Sequence, residues 1–128
     1  MTQIRISQAA QLLGVSDDSV RRWIDQGQLT ARTDESGRQV VEGRELADFA
    51  QRRAHSERPA DTSARNAFTG LVTRVVSDTV MSSVELQCGP YRLMALISTE
   101  AVHDLGLEPG VIATARVKAT NVVIDGHA

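Results

Sequence analysis

Apolar residues in the first half of the chain recur at three- and four-residue spacing, the signature of helices with one buried face. Ala10, Leu12 and Leu13 form one such group behind Ser7, whose hydroxyl can cap a helix, and Gly14 ends the run in a left-handed turn. Ser16 caps a second helix in which Val20, Trp23 and Ile24 share a face, and Gly27 stops it. Short strands over 29–33 and 39–41 flank Asp34-Glu35-Ser36-Gly37, a hairpin with a glycine-containing loop. A third helix is expected over 42–53, with Leu46, Phe49 and Ala50 facing inward.

After a polar stretch around 55–62 the period changes to two and β-branched residues take over. Strands are expected over 67–76, 83–88, 91–97, 112–118 and 122–124, with a short helix over 99–104 and turns at Gly89-Pro90 and Glu108-Pro109-Gly110. Five short strands and one helical turn suggest a small barrel of the oligonucleotide/oligosaccharide-binding (OB) type. The expected class is therefore α+β: a winged helix-turn-helix over 1–54, a linker over 55–62 and an OB-like β-barrel over 63–126.

Composition sharpens this picture in two places. Aromatic residues make up only 3% of the chain, so both cores must be built from Val, Leu, Ile and Ala. Of the 14 basic residues all are arginine except Lys118, a hint that this position wants a compact ammonium rather than a planar fork. The net charge of -2 gives no global attraction to nucleic acid, so any such attraction must come from how the arginines are distributed. Cys88, the single cysteine, rules out an intrachain disulfide and reads as a small strand residue.

In a helix-turn-helix the second helix lies in the major groove, its early turns towards the base edges. Ser16, Asp17, Ser19 and Arg22 can point away from the Val20/Trp23/Ile24 face, with Arg21 at its edge, while Arg32 and Arg38 flank the hairpin tip where a wing meets the DNA backbone. The run from Ile6 to Leu29, with Ser7, Ala9-Ala10, Leu13-Gly14-Val15-Ser16, Ser19-Val20-Arg21 and Trp23 in place, resembles the MerR/excisionase-type helix-turn-helix. The resemblance covers about residues 4–54 and implies binding of double-stranded DNA. Asp17, Asp18, Asp34 and Glu35 lie near the same face and repel phosphate, so a monomer should bind weakly and an oligomer with two readers more tightly.

In the second half Ser63, Arg65 and Asn66 precede the first strand, Ser98 and Thr99 begin the short helix, and Lys118 closes the fourth strand before Ala119. Together these offer N–H and O–H donors and a compensating cation, which is what a small dianion requires. Residues 63–124 resemble the molbindin (Mop or TOBE-type) domain in Ser63-Ala64-Arg65-Asn66 with Gly70 and Val72, in Ala95-Leu96-Ile97-Ser98, in Leu105-Gly106-Leu107-Glu108-Pro109-Gly110, and in Val117-Lys118-Ala119 with Asn121-Val122. The resemblance implies molybdate or tungstate bound between subunits by Ser63, Arg65, Asn66, Ser98, Lys118 and Ala119, in an assembly (dimer or hexamer) built through the barrel. Two positions depart from the family: Ser98 stands where threonine is common, and Ala101 where serine is common, which leaves Thr99 as the substitute donor.

The histidines His55, His103 and His127 are scattered, and no nucleophile motif or phosphate-binding loop is present, so no enzyme is expected. Nor is there an apolar run long enough to span a membrane, and a cytoplasmic location is expected by default. The combined expectation is a molybdate- or tungstate-responsive transcriptional regulator. The rivals are an intracellular oxyanion storage protein and an excisionase-like architectural DNA binder with a non-binding barrel.

Overall fold

The computed structural model describes residues 2–54 and 61–127, so residues 55–60 of the expected linker lie outside the described residues. The chain divides into two compact units, Met1–Ser56 and Glu57–Ala128.

In the first unit β1 (Gln3–Arg5) leads directly into α1 (Ile6–Leu13), followed by α2 (Asp17–Asp25), β2 (Ala31–Thr33), β3 (Gln39–Glu42) and α3 (Gly43–Arg53). Gly14, at φ 68°, ends α1 with the left-handed turn its sequence implies. The Ser16 hydroxyl caps α2 by accepting from the Ser19 amide at 3.2 Å. The buried stripe of α1 is Ile6, Ala9 and Ala10 with Leu13 packed against it, an i, i+3, i+4, i+7 series. Leu12 falls off that stripe and is 63% exposed, against the expectation that it faces inward. Ser7 is likewise not the cap, because Arg5 takes the N-cap position and offers no side-chain bond. Around α1 pack Val20, Trp23, Leu29, Val41, Leu46 and Phe49, with the Trp23 and Phe49 rings 4.9 Å apart.

A strand that periodicity alone did not reveal completes this unit. β1 joins β3 antiparallel (Ile4 opposite Val41), and β2 pairs on the other side, giving the order β1-β3-β2. The hairpin between α2 and α3 is thus the outer part of a three-stranded wing. Asp34 builds its turn by accepting from the Ser36 hydroxyl at 2.7 Å and from the Ser36 and Arg38 amides at 2.9 Å each. The Ser36 hydroxyl first, and then the Arg38 amide, hold the Asp34 carboxyl below its ordinary range.

The second unit runs β4 (Asn66–Ser77), β5 (Met81–Cys88), β6 (Tyr91–Ser98), α4 (Thr99–Leu105) and β7 (Ile112–Val117), then a 3-10 turn at Ala119–Asn121. All pairs are antiparallel, in the order β6-β5-β4-β7. The long β4 is shared: its first half pairs with β7, its second with β5, and an irregularity between Val72 and Arg74 marks the handover. The sheet curls over α4 as an OB-like half-barrel, with Val72, Val84, Leu86 and Val102 at its centre. The expected strand over 122–124 is corrected. Val122 has extended backbone, but the segment pairs with nothing among the described residues, and Val123 and Ile124 are more than 80% exposed. A β pattern in sequence needs a partner edge to become a strand, and the described part of this chain supplies none.

Among the described residues no helix is long and apolar enough to cross a membrane, and no group of three His, Cys, Asp or Glu side chains could hold a metal ion.

Candidate functional site

Two surfaces carry the residues singled out by sequence. On the first unit, Val20 and Trp23 bury the inner face of α2 and leave Arg21 and Arg22 exposed. Ser16 and Ser19 are tied to each other, with their hydroxyls 3.1 Å apart, so they hold the start of the helix. Arg21 lies 3.6 Å from Asp18, an exposed pair of small energetic worth that leaves the guanidinium available. Arg32 lies exposed on β2 and Arg38 just before β3.

An open cleft between α2 and the wing is lined by Arg5, Ile6, Ser7, Asp17, Arg21, Arg38 and Gln39. It brings Asp17, Arg21 and Arg38 together, while Ser16, Ser19, Arg22 and Arg32 are not part of its lining. Arg5 was missed by sequence reasoning. The only signal for it is the three-residue alternation Ile4-Arg5-Ile6, too short to stand out from a helix start.

On the second unit the register decides which donors meet. Asn66 opens β4 opposite Val117, the last residue of β7, and its side-chain amide donates to the Val117 carbonyl at 3.2 Å. Lys118 and Ala119 follow at once, so they share this end of the sheet with Ser63 and Arg65. Arg65 donates to the Thr62 carbonyl at 3.2 Å, and the Ala64 amide to the Thr62 hydroxyl at 3.2 Å, which shapes the approach to β4. Lys118 is exposed, and among the described residues it forms no ion pair.

Ser98 and Thr99 stand elsewhere. Ser98 pairs with Met81 at the start of β5, and Ser82 beside it pairs with Ser77 at the far end of β4. The 12-residue length of β4 separates the two groups, roughly 35–40 Å of strand at ~3.3 Å per residue. Ser98 caps α4 by accepting from the Ala101 amide at 3.1 Å, and stays exposed.

Thr99 differs from the expectation of a ligand donor. It is buried, and its hydroxyl donates to the Asp78 carbonyl at 2.8 Å while bonding the Ser82 hydroxyl at 2.8 Å. A hydroxyl carries one proton, so the order Ser77 to Ser82 to Thr99 to Asp78 is fixed and Thr99 has no proton left for an anion. The Met81 and Val80 amides hold the Asp78 carboxyl below its ordinary range, which fixes the same turn. Thr99→Val should therefore act on stability: the Asp78 carbonyl loses its donor and the buried Ser82 hydroxyl keeps only its bond to Ser77, at a cost of about 1–3 kcal/mol. Urea unfolding measures this, and an unchanged midpoint would contradict the framework role.

Comparison with known proteins gives a match for each of the two units. Residues 62–124 match the TOBE domain model and residues 4–54 a helix-turn-helix domain model. Molybdenum-pterin-binding protein 3 of Clostridium pasteurianum is 36% identical over 63 residues, which is 48% of this chain and 93% of that protein. Molybdenum-pterin-binding protein 1 of the same organism is 33% identical over the same shares. A molybdate-binding protein from Sporomusa ovata superposes with a TM-score of 0.50 at 35% identity, covering 52% of this chain and 98% of that one. The chain thus carries a helix-turn-helix domain at its N-terminus and, through its TOBE domain, belongs to the molbindin family of the molybdenum-pterin-binding proteins.

Proposed function

We propose that this protein is a DNA-binding transcriptional regulator that responds to molybdate or tungstate, the oxyanion being held where the second units of two copies meet. The observation that carries the reading is the separation of donors along β4. Ser63, Arg65, Asn66, Lys118 and Ala119 gather at one end, and Ser98 lies at the other. One chain thus offers two incomplete donor groups, and a second copy laid against it brings the Ser98 end of one to the Lys118 end of the other. Supporting this, the core cluster of the second unit has only four buried apolar residues among the described residues, yet Leu96, Met94, Leu71, Ile112, Val123 and Ile124 are exposed. A unit of this size gains most of its missing burial from a partner copy. The names of the relatives, molybdenum-pterin-binding and molybdate-binding, supply the ligand class.

Oxyanion binding alters DNA affinity only to the extent that it prefers one arrangement of the paired readers over another. Calorimetric titration with molybdate, tungstate and sulfate, beside mobility shifts on DNA upstream of molybdate transport genes with and without the bound oxyanion, tests the reading. Saturable oxyanion binding with a changed DNA shift is expected. Oxyanion binding without any DNA binding would replace the regulator by a storage protein. DNA binding that ignores both oxyanions would remove the sensing role.

A further inference from the structure

The geometry points to the outward face of the three-stranded wing as a seat for duplex DNA phosphates, with Arg5 of β1 as its anchoring cation. The register carries the argument. In antiparallel pairs, residues directly opposite share a face, and Val40 is opposite Arg5 on one side and Arg32 on the other. Arg38, two residues before Val40, falls on the same side of the alternation. Val41 packs into the helical core, so Val40 faces away from it, and Val40 is absent from that core cluster. Yet Val40 is only 4% exposed. Arg5 and Arg32 are its cross-strand neighbours on this face, and side chains of this kind can lay their long stems on an apolar residue while the charged heads stay in water.

Arg21 reaches the same region from α2, since Arg5, Arg21 and Arg38 line one cleft. Four guanidiniums from β1, α2, β2 and the wing turn thus border a single surface, and among the described residues neither Arg5, Arg32 nor Arg38 forms an ion pair. The carboxylates nearby are Asp17 in the cleft, Asp18 beside Arg21, Glu42 opposite Gln3 at the other end of the face, and Asp34 and Glu35 in the wing turn, where Asp34 accepts from its own turn and also feels the charge of Arg5. These acids leave no net cationic excess, so the seat rests on placement: Arg5, Arg32 and Arg38 share the face and form no ion pair among the described residues. Guanidiniums spread over neighbouring strands match the spaced oxygens of a phosphodiester backbone, and they fix the position of the reader without selecting sequence. The inference rests on the DNA-reading role of the first unit, and adds β1, which lies outside the two reader helices and the hairpin, to its contact surface.

Fluorescence anisotropy of a labelled 30-base-pair duplex, with the full chain at several salt concentrations, tests it. Arg5→Gln is expected to weaken binding about tenfold near 0.1 M salt and to flatten the log–log salt dependence by about 0.9, the loss of one phosphate contact. Arg5→Lys, which keeps the charge, should retain most of the slope. Arg52→Gln makes the same charge change at the far end of α3, where Arg52 lies over Phe49 at 6.0 Å, and should leave the slope unaltered. Equal slopes for Arg5→Gln and wild type, or equal losses for Arg5→Gln and Arg52→Gln, would overturn the seat while leaving DNA binding in place. If wild type shows no salt-dependent affinity for any duplex, the DNA-reading role itself falls and the seat with it.

Discussion

Lys118→Ala should lower molybdate affinity by a factor of 100 or more and leave the protein folded. A dianion withdrawn from water must recover its solvation from donors and from at least one cation, and removing one member of such a charged, hydrogen-bonded set costs about 2–5 kcal/mol. At ~1.4 kcal/mol per factor of ten, the middle of that range already exceeds a hundredfold. Lys118 sits one residue beyond the Asn66–Val117 pair and is the only lysine in the chain. The fold does not depend on its side chain, which is exposed. Its carbonyl accepts from the Asn121 amide at 2.9 Å, a bond alanine retains.

Two readouts separate the outcomes. Calorimetry gives the affinity directly, and thermal melting gives the linkage: at a thousand times the wild-type Kd, ligand stabilises the native form by about 4 kcal/mol, which should fall to about 1.4 kcal/mol or less in a variant bound a hundredfold more weakly. Lys118→Arg sharpens the test, since it keeps the charge but exchanges a compact ammonium for a planar fork, and should bind with intermediate affinity. If Lys118→Ala takes up molybdate within threefold of wild type, the site is not at this end of the sheet.

What the sequence made legible, and what it did not, divides along the line between local and non-local physics. Gly14, Ser16 and the Val20/Trp23 spacing are local signals, and α1 and α2 stop and start where those residues say. Leu12 was misjudged because Leu12 and Leu13 are adjacent and only one of them can join the stripe set by Ile6, Ala9 and Ala10. β1 is three residues long and exists only because β3 lies beside it, a pairing that no window around Gln3 contains. The segment 122–124 shows the reverse case, a strand composition without a strand, because pairing belongs to two segments and never to one.

The donor set was legible as residues but not as geometry. Ser98 and Thr99 are neighbours in sequence, yet one caps α4 in the open and the other is buried in a hydroxyl chain. Arg65 and Lys118 are far apart in sequence, and the β4–β7 register, which pairs Asn66 with Val117, puts them at the same end of the sheet. Residue type suggested a dianion site, and strand order places the suggested donors at two separate ends of the sheet.

Gly70→Ala should be the most damaging single-methyl change in the second unit. Its backbone is not in the left-handed region, so the difficulty is space alone. A Cβ at this position would lie 2.4 Å from the Gln87 carbonyl oxygen and 2.6 Å from the Cys88 Sγ. A side-chain tip could turn away, but the Gln87 carbonyl is backbone of β5 and cannot move without displacing the strand. The crowding falls where β4 leaves β7 and joins β5: Gly70 is opposite Ala113 on one strand, and Leu71 opposite Gln87 on the other. Overpacking of this kind costs about 3 kcal/mol, and in a unit of 60–100 residues each kcal/mol lowers Tm by roughly 4–8 °C, so a fall of about 12–24 °C is expected. Cys88→Ala removes one of the two obstacles, so Gly70→Ala with Cys88→Ala should recover part of the loss but not all of it, a non-additivity that a double-mutant cycle measures. Because Asn66 is on the same half of β4, the displaced strand should also weaken oxyanion binding in whatever protein remains folded. A Gly70→Ala protein that melts within two or three degrees of wild type would mean β4 and β5 do not approach this closely, and the route that carries Asn66 to Lys118 would have to be redrawn.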